Sequence, residues 1–300
     1  HFVPQLHSDV VRQSPAMPLT LNADIKGSIQ HAIVNDLLLE WPTAFRAETK
    51  GQLYNLTDTD RLKAQIDLEA QTYNLSFLTP MLGLPKDVSI PGNMSLNGDM
   101  HIDGPLYQAN LKATQGNAYH HLTAQASLNR KSEIYNLLVD INNLRMYQFI
   151  KNDSLSDLTM FVNAKGRGFD FTRRSTWLDA EASVDRFRYG QKDLDSITLM
   201  AHLRNGHAQA DINGQNAVFT GNVCIDGLLG QKSEQSVMNV NSRVDLLDLY
   251  ALGLVEEPLQ IGVTGKFSLD SDLKDTHKLK GFFSEISVVL IMPGAAGAIL

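Results

Sequence analysis

Apolar and polar residues alternate with a period of two along most of this 300-residue chain. The clearest instance is the stretch 194–223. Ile197, Leu199, Ala201 and Leu203 alternate with polar residues and Met200, Asn205-Gly206 follows, and Ala208, Ala210 and Ile212 resume the alternation. Period two with Asn-Gly between the runs predicts a β-hairpin closed by a type I′ turn. With Asn205 and Gly206 as the loop, Arg204 pairs with His207, Leu203 with Ala208, Ala201 with Ala210 and Leu199 with Ile212. That register puts every apolar residue on one face and His202, Arg204, His207 and Gln209 on the other. A helix would scatter the same residues around its circumference.

The pattern recurs from Pro18 onward. It runs through 19–25, 62–70, 94–102, 109–113, 122–128, 135–141, 158–164, 178–184, 240–246 and 259–269, with 219–225 after the hairpin and a last strand at 287–292. This predicts on the order of fourteen strands joined by short polar turns. No long amphipathic helical run competes, so the expected class is all-β. Compact aromatic-aliphatic segments interrupt the strands at 74–78, 143–150 and 248–254, each opened by Asn or Asp, and each reads as a short capped helix. Their loose recurrence suggests an elongated sheet of similar units rather than a strict solenoid. No linker composition marks a domain boundary, so residues 1–286 read as one region and 287–300 as an apolar, frayed or truncated tail.

Composition narrows the function classes. The hydrophobic fraction of 43% and charged fraction of 20% belong to a folded chain. A net charge of −7 without a basic block speaks against nucleic acid. The single cysteine, Cys224, permits no internal disulfide and falls out of phase with Phe219, Gly221, Val223 and Ile225. The chain begins at His1, as a fragment would, and no stretch reaches the roughly 20 apolar residues of a spanning helix.

Little in the chain nominates chemistry. Asp99, His101 and Asp103 share one face of a strand and are acceptable metal ligands, but the polar face of an ordinary strand accounts for them. His120 and His121, beside Gly116-Asn117, read as a surface turn. Lys165-Gly166-Arg167-Gly168 lacks the third glycine and the helix of a phosphate loop, and reads as a turn. Glu256-Glu257-Pro258 reads as a strand entry. No Gly-x-Ser-x-Gly elbow or His-Glu-x-x-His is present, so neither an enzyme, a metal site nor a cofactor is expected.

Residues 184–190, Val-Asp-Arg-Phe-Arg-Tyr-Gly, lead through Asp195-Ser196 into the Asn205-Gly206 hairpin. Residues 244–252, Val-Asp-Leu-Leu-Asp-Leu-Tyr-Ala-Leu, are followed by 259–266 and by Gly281-Phe282-Phe283-Ser284. These stretches resemble the TamB-like (translocation and assembly module) proteins of Bacteroidota, within the wider AsmA-like family. The resemblance covers residues 140–286, and the N-terminal part by pattern alone. It implies a long sheet curled into a β-taco-like trough, in a protein of the periplasm and cell envelope anchored in the inner membrane through a segment outside this fragment. It implies phospholipid transport, outer-membrane protein assembly, and an outer-membrane β-barrel partner.

On this reading the inward aliphatics hold phospholipid acyl chains. They are Ile66, Leu68, Leu96, Leu111, Leu128, Val139 and Ile141 in the first half of the chain. In the second half they are Met160, Val162, Val184, Leu199, Leu203, Ile212, Val223, Val244, Leu246, Ile261 and Val263. Ala124, Ala126, Ala180, Ala182, Ala208 and Ala210 among them leave room, although alanine equally tapers an ordinary core. The rival readings are a β-sandwich or β-helix binding or adhesion module with no lipid role and, more distantly, a transmembrane barrel. The first asks for exposed aromatic platforms and the second for aromatic girdles, against an aromatic fraction of 7%.

Overall fold

The computed structural model describes residues 18–290 apart from 82, 84, 86, 151–154, 190–191, 231–235, 253 and 272–276. Strands dominate, as the alternation predicts. The first eight are β1 (Thr20–Gly27), β2 (His31–Trp41), β3 (Phe45–Tyr54), β4 (Lys63–Thr72), β5 (Met94–Asp103), β6 (Leu106–Gln115), β7 (Asn117–Asn129) and β8 (Ile134–Arg145). Then come β9 (Asp157–Arg167), β10 (Trp177–Arg186), β11 (Arg188–Tyr189), β12 (Lys192–Asp193), β13 (Ile197–Arg204) and β14 (His207–Gln215). The last are β15 (Phe219–Leu228), β16 (Ser236–Asp248), β17 (Leu259–Ser271) and β18 (His277–Leu290).

All but β11 and β12 form one sixteen-stranded antiparallel sheet in chain order, while β11 and β12 pair with each other. Sequential antiparallel neighbours are what short polar turns permit; parallel pairing would need long crossovers. The order is open, with β1 and β18 as its end strands. A β-helix needs parallel neighbours and a barrel needs its end strands paired, and neither arrangement occurs among the described residues. Four strands, β2, β3 and the two-residue β11 and β12, lie where the alternation predicts none. β18 runs through the expected boundary at 286/287, and positions 291–300 of the expected tail lie outside the described residues.

The expected helices are mostly turns. Among the described residues the one α-helical turn, α1 (Leu78–Met81), begins four residues after Asn74, whose side chain accepts the Ser76 N–H at 3.1 Å. At 143–150 strand β8 continues to Arg145, and only a 3₁₀ turn at Met146–Gln148 follows. At 248–254 Asp248 does cap: its carboxylate accepts from the Ala251 N–H at 2.8 Å and its carbonyl from Leu252 at 3.2 Å, but no helix continues. Each segment lacks the length to offset the cost of helix nucleation.

The strands pack as two compact units where the alternation marks no boundary. One comprises residues His1–Lys131 and Val139–Asp157, the other Ser132–Leu138 and Leu158–Leu300. In the first unit, the β4–β5 connection folds over one strand end, packing Leu75 and Phe77 on Ala44 with Trp41, Phe45 and Ile90 around them. Phe77 meets Trp41 edge-on at 4.9 Å between ring centroids. The same connection bridges Val88 to Ile150, and the Ser89 N–H donates to the Phe149 carbonyl at 2.7 Å. In the second unit the Phe219 end of β15 is closed by the fully buried Val218, whose carbonyl accepts the Asp248 N–H at 2.8 Å.

Candidate functional site

Register decides which residues share a face, because direct antiparallel partners point the same way. In the second unit the register chains apolar residues across eight strands. Val162 faces Ala182, then Leu199, Ile212, Val223, Ser242, Gly265 and Phe283. One row over, Met160 leads through Val184, Ile197, Gly214, Gly221 and Val244 to Val263 and Ile286. Next to it runs Ala164, Ala180, Ala201, Ala210, Ile225, Val240 and Phe267, and beyond that Leu178, Leu203, Ala208, Gly227, Met238 and Leu269. The hairpin register predicted for 199–212 is the one observed, with Asn205 at φ 52° and Gly206 at φ 75° as a type I′ turn demands.

The first unit repeats the arrangement over β1–β7. Ile25, Val34, Gly51, Ile66, Met100, Ala109 and Ala126 form one row, and Ala23, Leu37, Thr49, Leu68, Gly98, Leu111 and Ala124 the next. Leu39, Ala47, Ala70, Leu96, Ala113 and Leu122 flank them on one side. Ala32, Leu53, Ala64, Ile102, Tyr107 and Leu128 do so on the other. Val139 and Ile141 sit at alternate, half-buried positions of β8 in this unit.

All the predicted lining residues but one therefore fall on these apolar faces or, for β8, in phase with the alternation. The exception is Leu246. A bulge in β16 shifts the register between Val244 and Leu247, so Leu247 faces Phe219 and Ile261 while Leu246 pairs with Thr220 on the opposite face. One inserted residue reverses every side chain beyond it.

The faces are half-buried rather than sealed. Leu203, Ala64, Ala113, Ile102 and Val244 are buried, whereas most of their row neighbours keep intermediate exposure and Leu68 is 38% exposed. On the end strands the face is open, with Leu21 64% and Ile286 59% exposed. Rows of this kind gain from their flanking neighbours within the sheet and hold apolar area still available to a ligand.

The opposite face is a field of paired charges. Asp179 accepts from His202 at 2.9 Å and Arg204 at 2.6 Å, and these bonds hold its carboxyl below the usual range. Arg204 also lies over the Trp177 ring, 4.7 Å from its centroid. Asp226 is held low in the same way by Gln209 and by His207, at 2.8 and 3.3 Å. Asp99 accepts from Asn110 at 2.9 Å and Asp103 pairs with Lys63 at 3.1 Å, while His101 lies between them on β5. Among the described residues no group of three or more His, Cys, Asp or Glu side chains could hold a metal ion. The Cys224 thiol donates to Asp211 at 3.1 Å, a bond that pushes it up, away from the reactive thiolate. Lys165, Gly166 and Arg167 complete β9, and Gly168 at φ 76° turns the chain, so no phosphate cradle forms.

His120 departs from its expected place in a surface turn. It is a buried residue of β7, with Nδ1 2.6 Å from the Asn143 carbonyl and Nε2 2.8 Å from Arg145 Nη2. A carbonyl only accepts and a guanidinium only donates, so the two contacts suit an imidazole that donates from Nδ1 and accepts at Nε2. Gln115, almost wholly buried, accepts from the Arg145 N–H at 2.9 Å and donates to Gln148 at 2.8 Å. These partners are about 23 to 33 residues apart in sequence, so no local motif announces them. The network clamps the strand ends beside the apolar face and touches no reactive group.

No helix among the described residues is long and apolar enough to cross a membrane. No family model, curated protein or solved structure matches the chain.

Proposed function

We propose that the apolar faces bind the acyl chains of phospholipids and that the protein is a passive lipid conduit of the TamB-like kind. It would act in the periplasm, contributing to lipid transport toward the outer membrane and to assembly there with a β-barrel partner. The observation that carries this reading is the pair of aliphatic faces, four residues deep and continuous over seven strands in one unit and eight in the other, half-open along their length. No chemical step is required.

Magnitudes favour sliding over storage. Removing a methylene from water is worth about 0.8 kcal/mol, so ten methylenes losing roughly half their exposure gain about 4 kcal/mol, a millimolar interaction. A chain held that weakly moves along a row of similar residues without a deep trap. The alanines and glycines of the rows keep the floor low, while Leu199, Ile212, Val223 and Phe267 give it contour.

A fluorescent fatty acid titrated into the full chain tests the reading. Binding is expected to saturate and to weaken about tenfold in Leu199→Arg, which plants a charge on the face. Thr198→Arg, on the opposite face, is expected to leave it unchanged. Equal effects of the two substitutions, or no binding at all, would overturn the proposal.

A further inference from the structure

The turn between β9 and β10 belongs to neither face, and its composition differs from the rest of the chain. Residues 167–174, from the last residue of β9, read Arg-Gly-Phe-Asp-Phe-Thr-Arg-Arg, three cations against one carboxylate in a chain of net charge −7. Its two aromatic rings are turned outward, Phe169 64% and Phe171 44% exposed. Apolar rings of this size are ordinarily buried.

The turn is built to hold them there. Gly168, at φ 76°, donates its N–H to the Glu133 carbonyl at 3.0 Å, and Phe169 stacks on Tyr135 at 5.1 Å. Asp170 is used up inside the loop. Its carboxylate accepts from the Thr172 N–H at 3.1 Å, the Thr172 hydroxyl at 2.6 Å and Arg173 Nε at 3.1 Å. Its carbonyl accepts from the Thr176 hydroxyl at 2.6 Å and the Arg173 N–H at 3.1 Å. Arg174 donates to the Asn205 carbonyl at 3.1 Å, tying the turn to the tip of the next hairpin. Arg173 is neutralised inside the loop by Asp170, so the outward charge is that of Arg167 and Arg174, with Glu133 the carboxylate beside Gly168.

We infer that this turn docks the second unit on an anionic lipid surface, with Phe169 and Phe171 entering the headgroup layer and Arg167 and Arg174 meeting lipid phosphates. Rings beside arginines satisfy both halves of an interface that is apolar below and anionic above. Neither half suffices alone: two rings bury little area, and exposed cations are screened within a Debye length. Nucleic acid is the poorer fit, because a duplex offers no apolar layer to take the two exposed phenylalanine rings. The inference is independent of acyl-chain binding on the apolar face.

Flotation of the full chain with phosphatidylcholine vesicles, with and without phosphatidylglycerol, tests it. Binding is expected only where phosphatidylglycerol is present and is expected to fall at high salt. The pairs Phe169→Ser with Phe171→Ser, and Arg167→Gln with Arg174→Gln, should each weaken it roughly tenfold at unchanged circular dichroism. Leu199→Arg should leave it intact. Equal binding to neutral vesicles, no effect of either pair, loss in Leu199→Arg alone, or displacement of the vesicles by a DNA duplex would each overturn it.

Discussion

Asp248 shows how a single residue secures a strand end in the second unit. Burial opposes its ionisation, yet the Ala251 N–H, the Gln260 amide at 2.9 Å and Lys192 at 3.4 Å outweigh that penalty and hold the carboxyl below its ordinary range. A depressed folded-state value means that the stabilisation is complete above the unfolded pKa of about 3.9 and is lost as pH falls through the lower folded value. Asp248→Asn should therefore lower stability by about 1–3 kcal/mol at neutral pH, with the gap to the parent chain narrowing below about pH 4. Urea denaturation at neutral and acid pH measures both; a gap that ignores pH would contradict the account. His120 and Gln115 do comparable work in the first unit, and both resist sequence reading because their partners come from a distant strand.

At the scale of the element, legibility followed regularity. The hairpin of β13 and β14 was readable to the residue pair because nothing interrupts its alternation and its turn demands two positive φ angles. β2 was not readable: Ile33-Val34 and Leu37-Leu38-Leu39 are thrown out of phase by a bulge, where Val34 pairs with Gly51 and Leu37 with Thr49. β3 hides because Thr49 and Gly51 occupy its inward positions. Leu246 was misplaced for the same reason as β2, a bulge that composition does not betray. Asn74 and Asp248 each accept a nearby backbone N–H but close turns rather than the expected helices, and Asn143 lies inside β8. The candidate face is thus legible wherever period two holds, whereas the turn expected at 165–168 begins only at Gly168, because Lys165, Gly166 and Arg167 complete β9.

The hairpin turns supply a second test at this scale. A Cβ on Gly206, at φ 75°, would run into the Arg174 guanidinium, whereas one on Gly116, at φ 76°, would meet open space. Both alanine substitutions carry the backbone term of about 1–2 kcal/mol. Gly206→Ala is expected to cost more, since it also displaces Arg174 from the Asn205 carbonyl. Equal losses in denaturation midpoint would show that the Arg174 contact contributes nothing.

At the scale of the whole molecule, one antiparallel sheet supplies each of two units with an apolar face and a charged one. The paired charges on the polar face keep that side in water: Lys63 with Asp103, Lys50 with Glu48, Arg204 with Asp179. Such exposed pairs add little stability, so holding the fold falls to the backbone ladders and the half-buried rows. A contiguous apolar face left half-open is rare on a monomer and marks a surface of interaction or self-association.

Native mass spectrometry of the purified chain, with lipid extraction from the same sample, addresses that directly. The account predicts phospholipid bound to the parent chain and absent from Val162→Arg, Leu199→Arg and Val263→Arg, each with its β-sheet circular dichroism intact. A lipid-free, monodisperse monomer would contradict it.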